Sequence, residues 1–348
     1  MQHLRKMVTQ LLMAVKRPKQ FIRVGVSELK MRLGIPVLRS VEFQVTHGCN
    51  LECDFCYAKD IMKAPDRHGN MDIEKIKSIL NECYDLGMIH VNITGGEPLL
   101  RKDIVPIIKS IPKSVVVSLV TNSSLLTKDL LVELKKAGLS TLQMSYGSNY
   151  EDFDREMARY CKNLGLSVTL SIVNTLSERE CNEKAMQIAE EDGFNVLFNY
   201  PMRFKNTGLD SDFYWKHRSK PLVRDDNLFW SGKDKCPAGL TKIYVTNDGD
   251  VSVCDRIHEF EGNLYESSVK DIWQNMYKKI KNRKSFCLLE TDPEQWALNN
   301  IKSGKNYPIE NMGHEVNPFN VLDENQGSEK IIAADSSNEM PELNRQVS

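Results

Sequence analysis

Six short runs rich in β-branched residues recur along the chain: Val41–Val45, Ile89–Thr94, Val115–Val120, Thr141–Ser145, Ser167–Val173 and Asn195–Asn199. Each of the first five is followed by a helical pattern, at Asp72–Leu86, Asp103–Ser110, Lys128–Ala137, Glu151–Leu164 and Ser177–Glu191. Gly138 and Gly165 stand where helix C-caps belong, just ahead of the next strand. Repeated strand–helix units force parallel strands, because each helix carries the chain back across the sheet. The expected fold class is α/β, with helices outside a parallel sheet. Periodicity leaves open an incomplete barrel and a doubly wound sheet.

Past Pro201 the pattern changes. Residues 206–235 read as an irregular connector, whose Tyr214, Trp215, Phe229 and Trp230 either line a lid or pin the loop. Lys242–Cys254 then reads as a hairpin, with alternation on both sides of a turn at Asn247-Asp248-Gly249. A helix follows at Val269–Ile280, giving a small second module of hairpin plus helix. From about residue 323 the composition turns to Glu, Asp, Asn and Ser, which predicts a disordered tail.

The first 39 residues hold nine basic residues against one acid, Glu28, with Leu11, Leu12, Val15, Phe21, Ile22, Val26, Leu29 and Leu33 at near-helical spacing. One reading is a basic amphipathic helix touching anionic lipid. The expectation preferred here is a helical collar packed on the main domain with its charges solvated. Over the whole chain 46 basic residues nearly balance 47 acidic ones, which argues against nucleic-acid binding by bulk charge. The sequence shows no apolar run of membrane-spanning length and no secretory signal, so a cytoplasmic location is expected.

Nine cysteines are placed unevenly. Cys83, Cys161 and Cys181 fall in predicted helices among apolar neighbours and read as small buried hydrophobes. Cys49, Cys53 and Cys56, by contrast, fall within eight residues, in the loop after the first strand. In parallel α/β folds that end of the sheet hosts the chemistry. Three thiolates on one loop can hold three irons of a four-iron, four-sulfur cluster and leave the fourth iron open. Structural zinc wants four ligands, and His47 stands too close to Cys49 to complete a tetrahedron.

The triplet, with Phe55 directly before its last cysteine, resembles the signature of the radical S-adenosylmethionine (radical SAM) superfamily. The resemblance spans about residues 41–201 and includes Thr94-Gly95-Gly96-Glu97-Pro98 after the second strand, where that family binds SAM. It implies a partial (β/α)6 barrel of the TIM type over residues 40–205. It also implies a cluster whose unique iron binds SAM, and one-electron cleavage to a deoxyadenosyl radical that abstracts hydrogen from substrate. Gly95, Gly96 and Glu97 correspond to methionine-amine contacts, and Phe55 and Tyr57 to an adenine contact. Asn122, Ser145 and Asn174 stand where the family places ribose and carboxylate contacts; each also reads as an ordinary strand-end polar residue. A flavodoxin- or ferredoxin-like electron donor is the implied partner.

Cys236, Cys254 and Cys287 flank the hairpin and the following helix. Their order resembles the SPASM or twitch extension, which implies a second iron–sulfur cluster within residues 236–290. Three cysteines are fewer than that extension usually carries, so the fourth ligand stays open; Asp255 and His258 are nearby candidates. The expected function is hydrogen abstraction from a small metabolite, ending in oxidation or rearrangement. Two alternatives remain: a peptide-modifying maturase, and an iron–sulfur binding protein without catalysis.

Overall fold

The computed structural model describes residues 18–53, 56, 69–149, 153–199, 210–217, 220–225, 237–255 and 260–282. Helix α1 (Pro18–Arg32) leads into strand β1 (Ser40–Gln44). Then α2 (Ile73–Asp85), β2 (His90–Thr94), α3 (Ile104–Ser110), β3 (Val116–Thr121), α4 (Lys128–Ala137), β4 (Thr141–Ser145), α5 (Arg155–Asn163), β5 (Ser167–Val173), α6 (Arg179–Asp192) and β6 (Asn195–Asn199) alternate. Strands β1 to β6 pair in chain order, all parallel. The sheet is open, as in an incomplete barrel.

Local chemistry sets the helix ends. Asp72, Thr127 and Asp154 each accept a backbone N–H of the first turn, satisfying a donor that the helix cannot pair internally. Gly138 closes α4 at φ 126° and Gly193 closes α6 at φ 67°, conformations costly for a side-chain-bearing residue. Helix α2 buries Ile76, Ile79, Leu80 and Cys83, one stripe of an amphipathic helix. These join Val91, Ile93, Val117, Leu119, Leu142 and Met144 in a continuous core under the helices. Each fully buried aliphatic side chain contributes about 1.5–3 kcal/mol.

Order extends into the stretch that reads as irregular. Helix α7 (Ser211–His217) and strand β7 (Val223–Asp225) lie within it, and β7 adds in parallel to the open edge of β6. Phe213 and Tyr214 are buried with ring centroids 5.3 and 6.4 Å from Phe198. Non-local aromatic contact supplies the order that no periodicity announces, and Tyr214 pins the segment.

The hairpin does not stand apart. Strands β8 (Lys242–Val245), β9 (Asp250–Ser252) and β10 (Gly262–Asn263) continue the same sheet, with β8 parallel to β1. Without β8 the first strand would present an unpaired edge. Helix α8 (Val269–Ile280) packs beside α2. The hairpin turn is buried too. Asn247 accepts a hydrogen bond from Met71 N–H at 3.2 Å and donates to Gly69 O at 2.8 Å, holding the approach to α2.

Helix α1 packs on the amino end of the sheet with its polar side inward. Arg23 donates to Met88 O at 2.8 Å and to Tyr84 O, and its guanidinium lies 3.6 Å from the Tyr84 ring centre. Gln20 and Ser27 are buried, whereas Ile22, Val26 and Leu29 face out. The helix packs as a collar with Lys19, Lys30 and Arg32 exposed, and its outer side also carries an apolar stripe. The predicted tail lies outside the described residues.

Asn247→Ala removes two bonds that join hairpin and barrel. The expected loss of stability is about 1–3 kcal/mol, measured by urea denaturation of the metal-free chain.

Candidate functional site

Strand β1 delivers Thr46, His47 and Gly48 directly into the cysteine loop, and strand β2 delivers Gly95, Gly96 and Glu97 beside them. The two loops are clasped backbone to backbone. Gly96 N–H donates to Thr46 O at 2.8 Å, and Glu97 N–H to Gly48 O at 2.7 Å. A Cβ on Gly96 would lie 2.3 Å from Gly48 O and 2.6 Å from His47 O. One on Gly95 would lie 2.9 Å from Thr46 O. Glycine is needed here because two backbones meet, before any ligand is considered.

The Glu97 carboxylate is 1% exposed and binds three internal donors. Leu99 N–H lies at 3.0 Å, the Thr121 hydroxyl at 2.8 Å and Asn122 N–H at 2.7 Å. Burial pushes its carboxyl above the usual range, and those three bonds pull it partly back. Asn122 in turn donates from its side chain to Asn50 Oδ1 at 2.9 Å, and Asn50 donates to Ser124 Oγ at 2.8 Å. The third strand's loop is thereby tied to the cysteine loop. His47 lies 3.1 Å from Asp248, so the hairpin turn also reaches this loop. Arg101 completes the scaffold, donating to Val45 O at 2.9 Å and Met71 O at 3.0 Å while paired with Asp103 at 2.6 Å.

Cys49, Cys53 and Cys56 are all half-buried on this one loop, with Cys56 N–H on Cys53 O at 3.2 Å. Burial raises the Cys49 thiol, and the charges of Glu97, Cys53 and Cys56 raise it further. A metal would supply the positive charge that favours its thiolate. Among the described residues no three Cys, His, Asp or Glu side chains converge as ligands of a single ion. Three half-buried thiols on one loop are a donor set that fits an iron–sulfur cluster, in which each cysteine takes a separate iron.

Among the other predicted contacts, Ser145 ends β4, paired in register with Ser171. Asn174 follows β5, 1% exposed, donating to Asp210 O at 3.3 Å while its side-chain oxygen has no partner among the described residues. Phe55 and Tyr57 lie outside the described residues, as do Cys236, Cys287 and His258. Cys254 follows β9, half-buried, and Asp255 beside it lies 4.0 Å from Lys242. Cys83 and Cys161 are buried as expected, and burial drives both thiols up, Cys161 to about 12. Cys181 departs from that reading: it is half-exposed on α6.

The face of the sheet turned away from the helices was not anticipated. Polar residues cross it from strand to strand. Lys242 lies 2.5 Å from Glu42, which accepts from Asn92 at 3.3 Å. His90 bridges Ser40 and Ser118 at 3.0 Å each. Further along, Gln143 and Asn199 both donate to Ser171, at 3.3 and 2.7 Å. Burial resists the charge on Lys242, but Glu42 and Asp255 outweigh it and raise its pKa. Burial, then the Lys242 charge, pushes the His90 imidazole down to about 4, so the ring is neutral at pH 7. Gln44 is 1% exposed, and neither its amide atoms nor the Asn92 side-chain oxygen has a partner among the described residues. Alternation in Ser40-Val41-Glu42-Phe43-Gln44 and His90-Val91-Asn92-Ile93-Thr94 is the signal from which this face can be read.

Comparison with known proteins agrees with this geometry. The family model described as the Radical SAM superfamily matches residues 43–202, and the iron–sulfur cluster-binding SPASM domain matches residues 236–294. The PqqA peptide cyclase of Bradyrhizobium diazoefficiens is 31% identical over 155 residues, 40% of this chain and 40% of that protein. The chain thus spans about two fifths of the length of that relative. The AdoMet-dependent heme synthase of Methanosarcina barkeri is 24% identical over 301 residues, 70% of this chain and 85% of that protein. Streptococcus suis SuiB bound to S-adenosylmethionine superposes with a TM-score of 0.59 at 16% identity, covering 84% of this chain and 80% of that one. At that identity the likeness is one of fold.

The clasp makes a double expectation. Glu97→Ala orphans three buried donors and is expected to cost about 2–4 kcal/mol in urea denaturation of the metal-free chain. Gly96→Ala is expected to leave a soluble chain that takes up less iron in the cysteine loop, read by iron assay after anaerobic reconstitution. Wild-type iron content would show that the loops need not touch.

Proposed function

Because the chain carries a radical SAM domain and a SPASM domain, we propose that it removes a hydrogen atom from a small, hydroxyl-rich metabolite and leaves it oxidised or rearranged. Its cofactors are a four-iron, four-sulfur cluster, SAM and further iron–sulfur. When bound, the cluster and SAM supply a hydrogen-abstracting radical once one electron arrives. In this reading Cys49, Cys53 and Cys56 hold the first cluster, and Gly95, Gly96 and Glu97 frame the methionine end of SAM. Asn122, Ser145 and Asn174 serve its ribose and carboxylate, and Phe55 and Tyr57 its adenine. Cys236, Cys254 and Cys287 hold a second cluster. A flavodoxin- or ferredoxin-like protein delivers the electron.

The polar inner face supports this substrate class. An apolar substrate would desolvate the Glu42 carboxylate and the Lys242 ammonium, whose side chains keep 11% and 23% of their surface exposed. A polyhydroxylated substrate satisfies both, because each hydroxyl donates and accepts. Glu42 and Lys242 lie on the same face and favour hydroxyl groups over a hydrocarbon chain.

A peptide-modifying maturase is the second reading, favoured by the 31% identity to the PqqA peptide cyclase. The two separate by isotope. Reconstituted protein with SAM and a reductant is offered a protease-treated, low-molecular-weight extract of cells grown in deuterium oxide. Deuterium is expected in the deoxyadenosine formed, because the abstracted atom ends on that product. Labelling that needs the undigested peptide fraction would overturn the small-metabolite reading.

A further inference from the structure

Helix α1 carries an exposed apolar stripe where a solvated helix should be polar. Ile22, Val26, Leu29 and Leu33, spaced i, i+4, i+7 and i+11, share one face and are 63%, 48%, 58% and 66% exposed. The helix is not inside out by misfit. Its inward side is held by Arg23 on the Met88 and Tyr84 carbonyls and over the Tyr84 ring. The stripe is left over after the helix has packed, and a patch of this kind on a folded surface marks an interaction site.

Charge identifies what covers it. Lys19 and Lys30 lie on one edge of the stripe, and Arg32 with exposed Phe21 on the other. Glu28, the only acid in residues 1–39, is turned toward Arg32 and Arg39, at 3.5 and 3.6 Å. Residues 1–17 add Arg5, Lys6, Lys16 and Arg17 and no acid. An apolar stripe edged by basic residues matches the interface of an anionic bilayer: the stripe enters the acyl boundary while the lysine and arginine stems reach phosphates. A second copy of this helix would set basic edge against basic edge.

We propose that α1 docks the protein on an anionic lipid surface. The docking end is opposite the cysteine loop. Arg23 grips the chain just before β2, whereas Cys49 and Gly95 follow the far ends of β1 and β2. The surface is therefore a tether that leaves the site open to the aqueous side, and the substrate need not be a lipid. No helix among the described residues is long and apolar enough to cross a membrane, so attachment is peripheral.

The test is sedimentation of the full chain with vesicles of phosphatidylcholine alone, or carrying about one third phosphatidylglycerol. Binding is expected only with the anionic vesicles. It should weaken about tenfold or more in the double variant Ile22→Glu, Leu29→Glu, and comparably in Lys19→Glu, Lys30→Glu. All four side chains are exposed, so melting temperatures should stay at the wild-type value, confirming that both variants fold. Three results would overturn the proposal: no binding by the wild type, equal binding to neutral vesicles, or binding unchanged in either variant. A wild-type dimer that the apolar variant turns into a monomer would assign the stripe to a second copy instead.

Discussion

Two loops from neighbouring strands meet at a distance that only glycine permits, and the site depends on that meeting. Gly96 and Glu97 donate their amides to Thr46 and Gly48, immediately ahead of the first cysteine. Glu97 then holds Leu99, Thr121 and Asn122, and Asn122 returns to Asn50 within the cysteine loop. The residues that resemble the radical SAM family's cluster and SAM motifs thus form one hydrogen-bonded unit in this chain. Glu97 in particular is occupied from inside the protein. Its first effect is to position backbone, and any contact with SAM is added to that.

The rest of the architecture presents this unit and gives it a working face. Parallel strands send the cysteine loop and the glycine loop out at the same end. Helices take the apolar alternate residues and leave the polar ones on the opposite face. Strand β8 covers the edge of β1 and places Lys242 against Glu42, so the SPASM portion contributes to the barrel's inner surface. The hairpin turn reaches the cysteine loop through His47 and Asp248, and the α2 approach through Asn247. The two matched regions are thus joined beside the cysteine loop as well as along the sheet.

Much of this was legible in the sequence. Strands β4 to β6 and helices α4 and α8 lie at the expected residues, because period-2 and period-3.6 patterns arise from burial on one side. The placement of the cysteine triplet and of Gly95-Gly96-Glu97 on loops after β1 and β2 was legible because each follows directly on a strand pattern. Other features depend on tertiary contact and left no local mark. Strand β7 and helix α7 are ordered by β6 and Phe198, and β8 joins β1 across nearly two hundred residues of chain. The direction of α1 follows from Arg23 meeting Tyr84, which no helical wheel contains. Glu97's internal partners Thr121 and Asn122 lie one strand away, so a reading confined to the glycine motif assigns Glu97 wholly to the ligand.

Native-state hydrogen exchange on the metal-free chain tests the clasp most directly, since the amides of Gly96, Glu97 and Asn122 each donate one of its bonds. These three amides are expected to exchange as slowly as those of β1 and β2, and to become fast together in Glu97→Ala while the strand amides stay protected. Fast exchange of Gly96 and Glu97 in the wild type would contradict the clasp, because the two loops would then be meeting only when a cluster or SAM draws them together.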